Sequence, residues 1–250
     1  MNTHSGFKPI AYSLRIWGDF QIGSGVGVPG VLDEMVVRDH EDFAYVPGSE
    51  IKGLVRESCR QLIEYRCRDD EHIDKLICQG QKYFFLGDKE KESPTEYCSN
   101  SAQTVCLICA LFGSPLLPAS LWFSPAEYAG RYRDNTKSAE LEFRDSRSRA
   151  QASIDPRTRR AQAHHLFSTE VVAPAADLYG SIECMQPIRS VANNQDSRAW
   201  LAASLLFTCR LGGGRRRGRG RCRFEFRKDG ENNGNQAALD ALTNWLGGTL

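Results

Sequence analysis

The stretch Leu211–Phe224, "LGGGRRRGRGRCRF", carries six arginines and five glycines. Its flanks decide whether it is a tail or a turn. Upstream, "DSRAWLAASLLFTC" (196–209) sets Trp200, Leu201, Leu205 and Cys209 at helical spacing among good helix formers. Downstream, "CRFEFRK" (222–228) alternates Cys222, Phe224 and Phe226 with charged residues, as a half-buried strand does. The stretch therefore joins a helix to a strand inside a folded unit. Glycine costs stability unless the backbone needs positive φ or a close approach. Arginine offers a planar fork that matches phosphate. A solvated basic loop is the alternative. The two residue types together point to a floppy loop whose bare backbone approaches a polyanion, with Arg215, Arg216, Arg217 and Arg219 on its phosphates.

Outward from the loop, further elements follow. "AYSLRIWGDF" (11–20) alternates Tyr12, Leu14 and Ile16 with polar residues and reads as a strand. The segment 21–53 is too rich in Gly and Pro for a helix. At Pro47-Gly48-Ser49 the pattern changes. Ser49 is a good N-cap, and Ile51, Leu54, Val55, Leu62 and Ile63 mark one face of a helix to about Arg66. "ASLWF" (119–123) and "DLYGSIECMQPI" (177–188) read as strands. "NQAALDALTNWLGG" (235–248) reads as a closing helix capped by Asn235. The order is strand, helix, strand, strand, helix, strand. That predicts an α+β fold with a ferredoxin-like, RRM-like βαββαβ core in one domain spanning 1–250. Two insertions interrupt it, a cysteine-rich one at 66–110 and a hairpin at 129–170.

Composition agrees with a soluble globular chain: 250 residues, 41% hydrophobic and 25% charged. Net charge is only +1, so basic residues are concentrated locally. No apolar run is long enough to span a membrane, and "MNTHSGFKPI" (1–10) lacks a signal-peptide core. A cytoplasmic location is expected. Nine cysteines then point to thiols or metal before disulfides. Cys106 and Cys109 form C-x2-C, one edge of a tetrahedral zinc site, with Cys78 and Cys98 upstream. His72 or Cys67 is an alternative upstream ligand. The insertion is polar and has little core of its own, so structural zinc would fold it. The competing reading makes "VCLICALF" (105–112) a buried helix with small apolar thiols. Cys59, Cys184, Cys209 and Cys222 fall on periodic elements and read as core.

These motifs, in this order, resemble the RAMP superfamily of CRISPR-associated proteins. More narrowly, the chain looks like the repeated backbone subunit of type III effector complexes. The resemblance rests on "FQIGSG" (20–25), "VLDEMVVRD" (31–39), "VPGSEIKGLVR" (46–56), "ALFGSP" (110–115), "FSTEVVAPAADLYGSIE" (167–183) and the glycine–arginine stretch. It implies subunits stacked along guide RNA, some of which cleave complementary target RNA. It implies RNA binding by Gly212, Gly213, Gly214, Gly218 and the neighbouring arginines, and by Ser49, Lys52 and Arg56 at a helix N-terminus. It implies that Asp33 is catalytic, with Glu34 and Asp39 as alternatives, and that magnesium or manganese assists. Asp33 is expected at one edge of the sheet. The segment 144–166 matches the family's thumb, and Arg144, Arg147, Arg149, Arg157, Arg159 and Arg160 would serve its phosphates. The implied partners are guide RNA, target RNA, neighbouring copies or related RAMP subunits, and other type III subunits. A non-cleaving scaffold is the alternative. A guide-processing endoribonuclease fits less well, because such enzymes typically use a catalytic histidine and two tandem units.

Overall fold

The computed structural model describes residues 7–67, 73–83, 97–99, 105–128, 146–173, 177–189 and 194–226. The closing helix with Asn235, His72, Arg144 and the first part of the hairpin insertion lie outside them.

Strand β1 (Ile10–Trp17) is central because alternate residues along it are large and apolar. Ile10, Tyr12, Leu14 and Ile16 are all buried, while Arg15 and Trp17 are exposed. Its neighbours are β6 (Leu178–Cys184) and β7 (Arg221–Phe226), both antiparallel. Strand β2 (Leu121–Phe123) extends the sheet beyond β6, giving the order β2-β6-β1-β7. A short β3 (Glu127–Tyr128) also pairs with β6. Tyr12 and Phe224 meet edge-on across β1 and β7, with ring centroids 5.2 Å apart. The molecule is α+β, as the element pattern predicts.

Helix α1 (Gly48–Arg66) buries Ile51, Val55, Cys59 and Ile63. These recur every four residues, so they share one stripe. Among the described residues three short helices follow: α2 (Ile73–Leu76), α3 (Gln79–Tyr83) and α4 (Leu107–Phe112). Helix α5 (Asn194–Phe207) packs on α1 with Trp200, Leu201 and Leu205 buried. Ser58 on α1 and Thr208 after α5 share a buried hydrogen bond of 2.7 Å. That bond satisfies two hydroxyls that would otherwise be costly inside the core.

The N-terminus of α1 differs from expectation. Pro47 is the N-cap, with no side-chain capping bond, and Ser49 already lies within the first turn. Proline's fixed φ suits a helix entry. Gly48 leaves no room for another arrangement, since a Cβ there would lie 2.0 Å from the Phe123 carbonyl oxygen.

Strands β4 (Ser146–Ile154) and β5 (Ala161–Val172) form a separate antiparallel hairpin with a register shift between Ala152 and Ile154. The segment 167–172, "FSTEVV", belongs to β5, although sequence patterning alone assigns it no strand. Its inner end is held from outside the hairpin. Phe20 and Val172 exchange backbone hydrogen bonds, and Glu170 N donates to Glu34 O. Arg38 Nη2 reaches Glu170 Oε1 at 2.8 Å, and Val36 N donates to Glu170 Oε2 at 2.8 Å.

Candidate functional site

The glycine–arginine stretch is a pinned turn, which corrects the expectation of a floppy loop. Arg215–Arg217 form one 3-10 turn, bracketed by Gly214 and Gly218 in the left-handed region. Gly213 N donates to Gln21 O at 2.7 Å, Gly220 N to Asp19 O, and Leu211 N to Gly220 O. At Gly212, φ is +70° and a Cβ would lie 2.1 Å from Gln21 O. At Gly220, φ is +63° and a Cβ would lie 1.9 Å from Leu211 O. These two glycines serve the protein's own backbone. Arg215, Arg216 and Arg217 stand exposed, and their side chains have no partner among the described residues. Arg219 turns inward instead. Its Nη1 lies 3.4 Å from Gln21 Oε1 and 3.5 Å from Thr169 Oγ1.

Asp33 does not sit at the edge of the main sheet. The chain after β1 runs beside β5, so the hairpin takes Asp33 instead. Asp33 N donates to Ser168 O at 2.9 Å, and Ser168 N returns a 2.6 Å bond to Asp33 Oδ2. Ser168 Oγ donates to Val31 O at 2.9 Å and steadies the same loop. Oδ1 accepts nothing among the described residues, and the side chain is exposed. The two alternatives are engaged. Glu34 Oε2 accepts from Gln21 Nε2 at 2.5 Å. Asp39 Oδ1 accepts from Glu41 N and Phe43 N and closes a turn. Nothing in the sequence marks the roles of Ser168 and Gln21, because each comes from a contact made across the fold.

Along the hairpin, Arg147, Arg157, Arg159 and Arg160 are exposed and have no side-chain partner among the described residues. Arg149 is held by Asp19 at 2.7 Å. His165 is exposed at the surface.

Lys52 and Arg56 stand one turn apart on α1 and face a cleft of about 370 Å³. Tyr97 and the 112–119 segment complete its walls, and among the described residues no carboxylate lines it. Lys52 has no hydrogen-bond or ion-pair partner among the described residues. Desolvation, then the Arg56 charge, lower its pKa. Two unneutralised cations facing one hollow favour an anion. Ser49 is not among the lining residues.

Cys78, Cys98, Cys106 and Cys109 bring their sulfurs within 4.8 Å of one another. Cys78 and Cys109 are 3.6 Å apart. Four thiolates about 2.3 Å from a tetrahedral ion would be about 3.8 Å apart, so the set fits such an ion. Hydrogen bonding from Cys106 and then Cys109 draws Cys98 down to about 7, and Cys78 lies lower still. Cys106 caps α4, its sulfur accepting from Cys109 N. Thus 105–112 holds a buried helix, Leu107–Phe112, and also brings Cys106 and Cys109 into the cluster. The two readings of it are compatible. Cys67 is buried and is not one of the four grouped cysteines, and His72 lies outside the described residues. Cys59 and Cys222 are core, Cys184 is half-buried, and Cys209 is exposed because α5 ends at Phe207. Among the described residues, no other group of three metal-capable side chains forms.

Gln81 is a further residue that the sequence does not mark. It is buried, accepts from Arg56 Nη2 at 2.6 Å and donates to Cys109 Sγ at 3.3 Å.

No helix among the described residues is long and apolar enough to cross a membrane. No curated protein matches the chain. Among solved structures, a chain of the type III-B Cmr-beta complex in its apo state, determined by cryo-EM, is similar in fold. It is 12% identical, the match covers 88% of this chain and 98% of that one, and the TM-score is 0.50. A chain of the same complex bound to cognate target RNA is 10% identical, with coverage of 89% and 98% and a TM-score of 0.49. The family model of the RAMP superfamily matches residues 15–223. That span takes in the end of β1, the Asp33 loop, α1, the cysteine cluster, the hairpin and the pinned arginine turn, and the chain belongs to the RAMP superfamily.

Proposed function

We propose that the chain is a backbone subunit of a type III CRISPR ribonucleoprotein complex, binding guide RNA and cutting complementary target RNA at Asp33. Family membership and the fold shared with a type III-B chain support the assembly. The strand order β2-β6-β1-β7, with α1 and α5 between its strands, supports reading the fold as a ferredoxin-like core interrupted by two insertions. The observation that carries RNA binding is the pinned turn with three arginines that have no side-chain partner among the described residues. A fixed turn presents charge without the ordering entropy a loose loop would lose, and each phosphate contact releases counterions. Gly212, Gly213, Gly214 and Gly218 shape that turn, and Ser49, Lys52 and Arg56 add a second contact on α1. Guide RNA, target RNA, neighbouring copies or related RAMP subunits, and other type III subunits are the partners. The assembly is cytoplasmic.

For cleavage, the target's 2′-oxygen attacks the adjacent phosphorus and the P–O5′ bond breaks. The products are a 2′,3′-cyclic phosphate and a 5′-hydroxyl. The 2′ proton leaves during attack, and a proton is delivered to the departing 5′-oxygen. Asp33 fits the first task because Ser168 fixes Oδ2 while Oδ1 stays available. Magnesium or manganese would be held by Asp33 with RNA phosphates and water, and would stabilise charge on the reacting phosphate. Structural zinc would be held by Cys78, Cys98, Cys106 and Cys109, tying three segments of the insertion together.

The test is the assembled complex with complementary RNA. Cutting at a regular step is expected, and Asp33→Ala should slow it at least ~100-fold with target affinity kept. Normal cutting by Asp33→Ala would overturn the catalytic assignment. If neither protein cuts while both bind RNA, the chain is the non-cleaving scaffold.

A further inference from the structure

Gln81 sits where the cysteine cluster meets the cationic cleft. Its side chain is 2% exposed, and its amide bridges Cys109 Sγ and Arg56 Nη2. The two contacts have opposite polarity. A metal-bound thiolate accepts hydrogen bonds and donates none, whereas a guanidinium donates and accepts none. The orientation that turns the NH₂ toward sulfur therefore presents the carbonyl oxygen to Arg56. The reversed amide would place oxygen against sulfur and NH₂ against guanidinium, two repulsions with no water to relieve them. Among the described residues Arg56 spends one N–H on Gln81, which leaves the other four for a ligand.

The cleft is built from the same parts. Tyr97 adjoins Cys98, and its ring lies against Gly80, where a Cβ would come within 2.8 Å of it. Phe112 follows Cys109 by three residues on α4. Ser114 Oγ donates to Cys98 O at 3.0 Å. So the wall opposite Lys52 and Arg56 consists of segments that the four cysteines gather.

We propose that Gln81 is a positioning residue that aims Arg56 at an RNA phosphate in the cleft, so that metal loading of the cysteine cluster regulates RNA affinity. This rests on the reading of Lys52 and Arg56 as RNA ligands, and deepens it. A buried amide clamp of this kind acts as a metal site's outer shell, orienting a group beyond the ligands.

The experiment uses the full chain, zinc-loaded, with a fluorescein-labelled single-stranded RNA of mixed sequence, titrated over salt. Arg56→Ala should weaken binding about tenfold, the scale of one charge-assisted hydrogen bond, and reduce the log–log salt slope by roughly 0.7. Gln81→Leu should reproduce most of that loss at unchanged zinc content, and the double variant should lose no more than Arg56→Ala alone. In cobalt-substituted protein, Gln81→Leu should shift the thiolate-to-cobalt charge-transfer band, because Cys109 loses its N–H donor. Stripping zinc from the wild type should remove the difference between it and Arg56→Ala. Wild-type affinity in Gln81→Leu, or a full Arg56 contribution after stripping, would overturn the proposal. If Arg56→Ala and Lys52→Ala themselves bind RNA normally, it is the underlying reading of the cleft that fails. Should Gln81→Leu not fold, Gln81→Met makes the same comparison, and the stripped wild type needs no variant.

Discussion

Replacing Gly212 and Gly218 separately by alanine separates two explanations of the glycine-rich turn. Both residues have positive φ, +70° and +84°. Left-handed backbone costs alanine about 1–2 kcal/mol at either place. At Gly218 nothing lies within 4 Å of the added Cβ, so that is the whole cost. At Gly212 the Cβ would stand 2.1 Å from Gln21 O. The turn must then back away from residues 19–22, and the 2.7 Å bond from Gly213 N to Gln21 O is lost. That bond contributes about 1 kcal/mol, so Gly212→Ala should cost about 3 kcal/mol. Reversible thermal unfolding should show a drop of about 9 °C for Gly212→Ala and about 4 °C for Gly218→Ala, at roughly 3 °C per kcal/mol in a chain of this size. RNA binding should rank the other way relative to stability. Gly218 is open in the protein, so an RNA-facing Cβ there weakens binding beyond its small effect on folding. Equal unfolding temperatures for the two variants would refute the account of a turn pinned to Gln21.

Converting Arg215, Arg216 and Arg217 together to alanine should reduce the salt slope of RNA binding by about 2, roughly 0.7 for each lost phosphate contact, with no change in sequence preference. An unchanged slope would place these side chains in solvent. Metal analysis should find about one zinc per chain, lost when Cys106 and Cys109 are both serine. Protein purified without chelator and free of zinc would sink that assignment. Arg38→Ala should cost about 3–5 kcal/mol, because Glu170 is left buried without its cation. Burial alone would raise the Glu170 carboxyl, yet hydrogen bonds from Ser146 and the Val36 amide, with Arg38, hold it below the ordinary glutamate value. Its stabilisation is therefore complete above that value and is lost as pH falls through the lowered one. The stability gap between wild type and Glu170→Gln, measured by urea titration, should shrink from about pH 6 to about pH 3; a constant gap would show that the pair is not the source.

Local pattern carried most of the scaffold. Alternating burial on β1 and β7, the four-residue stripe on α1 and the helical spacing around Trp200 are short-range consequences of side-chain period, so they can be read without the fold. The C-x2-C spacing is local too, and it marked half of the cysteine cluster. The other half, Cys78 and Cys98, came from proximity along the chain. Their meeting needs three segments to converge, and only the tertiary structure brings the sulfurs together. The glycines of the turn were legible as glycines but not for the right reason. Sequence shows that the backbone needs freedom, while only the structure shows that Gln21 and Leu211 take up the space. The same holds for Asp33, whose loop pairs with β5 some 135 residues away. It also holds for β5 itself, whose inner end is a strand because Phe20 and Glu34 supply its partners. Gln81 is the limiting case. A glutamine has no motif, and its meaning arises when a sulfur and a guanidinium from distant segments close on its two ends. Side-chain period is written along the chain, whereas the partner that completes a hydrogen bond is chosen by the fold.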